Sequence, residues 1–290
     1  MAKVSIALLL IFVLSFLLKA DYSFDQDLGR HIKFGEIIWQ TKSIPHTNLF
    51  SYTYPDFPFI NSHWLFEVLS YFLSQNFGMQ TLYWLKIVML LTTIYLLLTT
   101  CRKSWLLLPI GFLFIHLLRE RTNFRPELFS FLFTVLTFYI LEKYRQHKLR
   151  LFYLLPVIQL IWVNIHIYFL VGLVIQGVFL ADSFLRSKFL NLKPLIIVLI
   201  ISMAATLINP NFITGALYPL NVLGNYGYSI AENQNIFLLE NIGFKDANFL
   251  FVKLSAGLVG LSLVVTFLRR QWQMKNILIS VSGLVLALMH

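Results

Sequence analysis

The chain is short of charge and almost without cysteine. Charged residues fill 12% of its 290 positions, against about 25% in an average soluble domain. Apolar residues fill 58%, and mean hydropathy is +0.73. A soluble core cannot absorb that excess, because surface grows with volume and has to be polar. A soluble enzyme, a secreted scaffold and a disordered tail are thereby excluded. The single cysteine, Cys101, excludes an internal disulfide and any cysteine-rich metal site. Acidic residues are scarcest, 13 against 23 Lys and Arg, for a net charge of +10. In a membrane chain such a balance reports which loops are basic, so no nucleic-acid partner is expected. Internal repeats, low-complexity runs and a separate soluble domain are also lacking.

What is present is a series of apolar runs, at residues 4–18, 81–100, 105–118, 128–141, 151–162, 165–185, 195–208, 249–268 and 277–289. Several fall below the roughly 20 residues of an untilted span, as happens where a polar cavity enters a membrane. The first lacks a small-x-small cleavage pattern and is read as an uncleaved span. Basic clusters follow Lys3 at Arg102-Lys103 and at residues 143–150, 186–193 and 269–275. Placing all of them on one side makes that side cytoplasmic, with the N-terminus inside. The segments 19–79, 119–127 and 209–248 then lie outside, in a cell membrane. Lys86 and Lys253 fall near the outer ends of their spans and are expected to snorkel. The expectation is an all-α fold, a polytopic membrane helix bundle of about nine spans forming a single domain, 1–290. The chain ends directly after the last run, which reads as a truncated frame or a minimal family member.

Parity requires that residues 61–77 not cross the bilayer. His63, Glu67, Ser70 and Ser74 recur at helical spacing on one face, with Trp64, Leu65, Val68, Leu69, Phe72 and Leu73 on the other. That pattern suits a helix lying in the interface; the alternative is a span with a polar stripe. A second juxtamembrane helix is expected from Asp27, with Leu28, Ile32, Gly35 and Trp39 on its apolar face and Asp27 and His31 one turn apart. Asp21, Asp25 and Asp27 lie just outside the first span, and Asp25 or Asp27 suits a helix N-cap. The connector from Ile44 to Thr53 is rich in turn-forming residues.

Other spans send polar groups to the same side: Arg119, Arg121 and Arg125, then Asn164 and His166, then Asn209-Pro210. A charge at membrane depth costs about 2.5–3.5 kcal/mol, so their convergence points to a water-filled pocket. The long segment 209–248, with Tyr218, Asn225, Tyr226, Tyr228, Glu232 and Glu240, reads as a lid or acceptor-binding loop.

The order Asp25-x-Asp27-x-x-x-His31-x-x-x-Gly35-Glu36, Ile44-Pro45, Phe50-Ser51-Tyr52-Thr53 and Asn61-Ser62-His63-Trp64-Leu65-x-Glu67 resembles a family. So do Arg125-Pro126-Glu127-Leu128-Phe129-Ser130, Trp162-Val163-Asn164-Ile165-His166 and Asn209-Pro210. The family is the prokaryotic polyprenyl-phosphate-sugar-dependent glycosyltransferases of the GT-C superfamily, of the protein mannosyltransferase or aminoarabinose transferase type. The resemblance implies two juxtamembrane helices in the first outer loop and a catalytic carboxylate opening the first of them. Asp27, with His31 as its partner, fits that position best; Asp25 is the second choice. Gly29-Arg30, Asn48 and Ile167-Tyr168 depart from the family pattern and bear on substrate fit.

The chemistry so implied moves a sugar from a polyprenyl-phosphate donor to a glycan, lipid or protein acceptor at the outer face. The carboxylate acts as general base on the acceptor hydroxyl. The leaving phosphate needs a cation, for which Arg125 and then Arg121 and Arg119 are candidates. Plain headgroup contacts are their alternative role. His31, His63, His166 and Glu67 are candidate substrate-binding residues, or, with Asp27, ligands of a divalent metal. Asn164 is a candidate to orient a substrate hydroxyl or to tie two helices together. Trp39, Trp64 and Trp162 are expected as interfacial anchors. A transporter and a non-catalytic assembly protein remain as rival classes.

Overall fold

The structure is a computed structural model that describes residues 2–18, 25–100, 106–118, 121–147, 150–185, 192–222, 236–269, 277 and 280. Among these, twelve α-helices and one 3-10 turn account for the architecture, and the sole β feature is an isolated bridge between Thr47 and Pro58. The helices are α1 (Ala2–Leu17), α2 (Gln26–Thr41), α3 (Trp64–Phe77), α4 (Gln80–Thr100), α5 (Leu107–Leu118) and α6 (Glu127–His147). After the 3-10 turn Arg150–Leu154 come α7 (Leu155–Val163), α8 (Phe169–Leu185), α9 (Leu192–Ala205), α10 (Phe212–Val222), α11 (Ile236–Asn241) and α12 (Asn248–Leu268). The fold is all-α, as the runs of apolar residues predict. Two helices, α4 and α12, are long and apolar enough to cross a membrane. The last expected span apart from residues 277 and 280, Asp21, Cys101, Arg119, and residues 223–235 with Asn225, Tyr226, Tyr228 and Glu232 lie outside the described residues. Most of the basic clusters that orient the chain lie outside them too.

Two apolar cores, with a third small cluster of Trp162, Val163 and Phe169, hold the described helices together. The larger gathers Leu9, Val13 and Leu17 of α1, Leu28 of α2, Phe66 of α3, a row of α4 from Leu82 to Leu98, and Phe124, Leu128 and Phe129 at the start of α6. The smaller joins α6 to α7, α8 and α9 through Ile140, Leu155, Ile175, Phe179 and Val198. α12 touches α5, where His116 and Phe251 lie 4.5 Å apart, and leaves most of its apolar surface open.

Among the described helices, α2 and α3 share the most extensive contact. It depends on Gly35, where an added Cβ would fall on the Glu67 carbonyl oxygen and lie 2.8 Å from the Tyr71 Cβ. This pairing corrects the reading of both helices. The face of α3 carrying Glu67, Ser70 and Ser74 was expected to meet water, yet all three are buried, and Leu65, Leu69 and Leu73 flank the larger core. Small hydroxyls fit where two backbones come close, and each bonds back to its own helix, Ser70 to Phe66 O at 2.7 Å and Ser74 to Tyr71 O at 3.0 Å. On α2 the buried line is Leu28, His31, Phe34, Gly35 and Ile38; Ile32 is half-buried, and Trp39 is exposed with Lys42 Nζ 4.0 Å from its ring.

The connector back to α3 folds over α2. Phe50 and Phe59 pack on Phe34 at 4.6 and 5.6 Å, and Phe59 N donates to His46 O at 2.8 Å. The segment 209–248, expected as a lid loop, contains α10 with Tyr218 and the short α11. Glu240 of α11 is paired with Lys253 of α12 at 2.7 Å, so Lys253 has an anion partner. Lys86 departs further from expectation: it lies on the packed face of α4, 8% exposed.

Gly35→Ala is expected to destabilise the protein by about 1–3 kcal/mol, because backbone must move to admit the methyl group. Gly29→Ala, also in α2 but with nothing within 4 Å of the added carbon, should instead stabilise it by roughly 0.5–1 kcal/mol. Thermal unfolding of the two variants in detergent checks the contrast; equal shifts would contradict the packing.

Candidate functional site

The first turn of α2 is where charge gathers. Asp25 caps the helix, its Oδ1 accepting from Asp27 N at 3.3 Å. Asp27 follows inside the first turn, where an acidic side chain suits the positive end of the helix dipole. Arg125, arriving just before α6, reaches both: Nε donates to Asp25 Oδ2, and Nη2 stands 3.3 Å from Asp27 Oδ2. Arg30 attends Asp27 from the other side at 3.8 Å. The two carboxylates differ in access. The Asp25 side chain is 10% exposed and that of Asp27 49%. The hydrogen bond from Arg125 holds Asp25 below its ordinary value of 3.8 against the opposing effect of burial, and Asp25 in turn raises Arg125.

One turn deeper, His31 is buried and its Nδ1 lies 3.1 Å from Glu67 Oε1. The other carboxylate oxygen accepts from Asn61 Nδ2 at 2.6 Å, and Asn61 Oδ1 accepts from His63 N at 3.0 Å. A 1%-exposed carboxylate is thus satisfied from α2 and from the turn before α3 at once. The spacing within each helix predicts Asp27 beside His31 and His63 beside Glu67. The structure instead pairs His31 with Glu67 across the helices, and Asp27 with Arg125.

His31, His63 and His166 form a row, with successive ring centroids 5.8 and 5.4 Å apart. His166 Nδ1 lies 2.8 Å from Ser130 Oγ, which accepts from Trp162 Nε1 at 2.7 Å. Burial holds His63 well below its ordinary value, helped by the neighbouring imidazoles of His166 and His31, and burial pushes His166 down to about 3. Among the described residues no three His, Cys, Asp or Glu side chains gather in a way that would hold a metal ion. The divalent-metal alternative therefore has no ligand set in the row, and His31 and Glu67 already spend their facing atoms on each other.

Asn164 is a tie between segments: its Oδ1 accepts from Trp64 Nε1 at 2.8 Å, while its Nδ2 donates to Leu160 O and Ile208 O. Those bonds leave little of its amide for a substrate hydroxyl. Arg121 is exposed, and among the described residues the cations paired with Asp25 and Asp27 are Arg125 and Arg30; the charge of Arg121 acts on Tyr168. Trp162, expected at an interface, is wholly buried, because its indole N–H has Ser130 as partner. Asn61, Ser130 and Trp162 are the members of the site that residue spacing misses. Ser130 closes the motif that begins at Arg125, and that proximity was the available signal.

No family model matches the chain, and no curated protein or solved structure was found similar to it.

Acid should destabilise the protein. His63 and His166 protonate less readily folded than unfolded, so the unfolded chain takes up protons first and stability falls as pH drops through about 6.5. For His166 the loss continues toward about 3, and Asp25 adds to it below 3.8. Unfolding temperature in detergent from pH 7.5 to 4.5 is the measurement. It should fall steadily in the parent and less steeply in His166→Gln; a rise on acidification would contradict the burial.

Proposed function

We propose that this protein is a polytopic membrane glycosyltransferase that moves a sugar from a polyprenyl-phosphate donor to an acceptor at the outer face, with Asp27 as general base. The observation that carries this reading is the division of labour at the start of α2. Asp25 is spent on the cap and on Arg125, whereas Asp27 is held by the same guanidinium and keeps half its surface open. The order of motifs along the chain adds to it, as do α4 and α12, which supply spans long enough to fix the site at a membrane surface. The remaining apolar helices complete the polytopic arrangement in this proposal, with the N-terminus inside.

In the reaction an acceptor hydroxyl approaches the anomeric carbon of the lipid-linked sugar. Asp27 takes the hydroxyl proton as the new C–O bond forms. The bond from the anomeric carbon to the phosphate oxygen breaks, and the polyprenyl phosphate leaves with the electron pair. Arg125 keeps Asp27 in place, and the Glu67 bridge keeps α2 seated so that its first turn does not drift. A loss of such positioning by about 1 Å can cost about 100-fold in rate. His63, half-buried beside the buried His166, offers uncharged imidazole nitrogen, which suits a sugar hydroxyl as donor or acceptor.

A non-catalytic assembly role is the second reading, favoured by the open apolar surface of α12. The variants Asp27→Asn and Asp25→Asn, assayed for sugar transfer in liposomes, separate the two. Asp27→Asn should lose about 100- to 10,000-fold in turnover while keeping the parent's stability. Asp25→Asn should keep the cap, because an amide oxygen accepts the same backbone bond, and lose its ion pair with Arg125, with a smaller loss of turnover. Full activity in Asp27→Asn would remove the base assignment.

A further inference from the structure

The row of imidazoles at the site continues into a fourth ring. Tyr168 lies beyond His166, their ring centroids 4.5 Å apart and their planes inclined at 75°. Access changes along the row: His31 and His166 are buried, His63 is half-buried, and Tyr168 is 45% exposed. The row therefore opens at Tyr168.

The backbone beneath that ring is firmly held. Tyr168 belongs to the tight turn between α7 and α8, where His166 N donates to Trp162 O at 3.0 Å, Phe169 N to His166 O at 3.3 Å and Val171 N to Tyr168 O at 3.0 Å. Trp162 and Phe169, on either side of the turn, are both buried. Gly172 lets the two helices close on each other, since an added Cβ would lie 2.6 Å from Gln159 Oε1 and 2.8 Å from the Trp162 ring. An open ring on so fixed a backbone loses little freedom when a ligand covers it.

The surroundings of the ring are polar. Burial and then the Glu127 carboxylate raise the Tyr168 hydroxyl above its ordinary value of 10.0, and Arg121 opposes them, so a charge of each sign acts on the phenol tip. A tyrosine joins an apolar body to a polar tip. A sugar has the matching form, with an apolar C–H face and a rim of hydroxyls. The ring suits the face, and Glu127, Arg121 and the uncharged His63 suit the rim. Tyr168 also stands where the chain departs from the pattern it resembles, so the ring bears on this chain's own choice of substrate.

We propose that the ring of Tyr168 is the platform on which the sugar of the lipid-linked donor stacks, and that it sets which hexose or pentose is accepted. The proposal rests on the glycosyl-transfer reading and deepens it. His63 and Tyr168 both border His166, so a sugar lying over that part of the row meets imidazole and phenol together.

The test is binding to the purified full chain in phosphatidylcholine nanodiscs. The probes are a long-chain polyprenyl monophosphate, bare or carrying mannose, glucose, galactose or xylose. The parent should bind at least one glycosylated probe about tenfold more tightly than the bare lipid. Tyr168→Ala should lose that advantage and keep the parent's affinity for the bare lipid. Tyr168→Phe, which keeps the flat face, should stay within about threefold of the parent; Tyr168→Leu, which keeps apolar bulk alone, should behave as Tyr168→Ala. All three should unfold near the parent's temperature, because the side chain is open. Parent-like binding of the glycosylated probe by Tyr168→Ala or Tyr168→Leu overturns the platform and leaves the enzyme reading standing. So does equal weakening of bare and glycosylated probes, which would place the ring among lipid headgroups, and so does a loss in Tyr168→Phe as large as in Tyr168→Ala. A folded parent that binds none of the probes overturns both.

Discussion

The Glu67 carboxylate, buried between α2 and α3, is the contact on which the rest of the site depends. It accepts from Asn61 with one oxygen and meets His31 with the other, so it ties α2 to α3 and to the turn before α3. Buried polar groups satisfied on every side are expensive to break, since each partner left behind is stranded without water. Gly35 makes the same junction close by letting the two backbones nearly touch. With α2 fixed in this way, its first turn has a fixed place in front of Arg125, and the two aspartates acquire different surroundings.

That difference is the source of the proposed chemistry. Two carboxylates two residues apart would ordinarily compete for the same cation. Here the cap geometry turns Asp25 back toward the helix and Arg125, while Asp27 points outward from the first turn with Arg30 and Arg125 on either flank. The guanidinium that the sequence assigns to phosphate is thereby occupied by the two carboxylates. Behind the carboxylates the imidazole row runs from His31 through His63 to His166 and is anchored by Ser130 and Trp162.

Much of the helical framework was legible in residue periodicity and apolar run length. α1, α4, α5, α8, α9 and α12 fall within a few residues of their expected runs, because an apolar segment of that length has few other ways to satisfy its backbone. The pairing of α2 with α3 was only half legible. The i, i+4 spacing of His63 and Glu67 marks a helix face, but which way the face looks depends on what packs there. A polar stripe of Glu67, Ser70 and Ser74 reads as water-facing until Gly35 and His31 are known to lie opposite. His31 and Glu67 are 36 positions apart, and Asp25 and Arg125 are 100 apart, so no local spacing could pair them. Trp162 was misjudged for the same reason, and the tie expected as one role of Asn164 could not be given its partners: Ser130, Trp64 and the Ile208 carbonyl come from distant segments. The burial of Lys86 follows from the packing of α4 against α1, α3 and α6, which hydropathy alone does not reveal.

The most direct measurement is turnover by the unaltered protein. Purified chain in liposomes, given a panel of polyprenyl-phosphate sugars and hydroxyl-bearing acceptors, should release free polyprenyl phosphate in step with glycosylated product from at least one donor. A well-folded sample that releases none from any donor would contradict the account and leave α2 and α3 as a structural clamp.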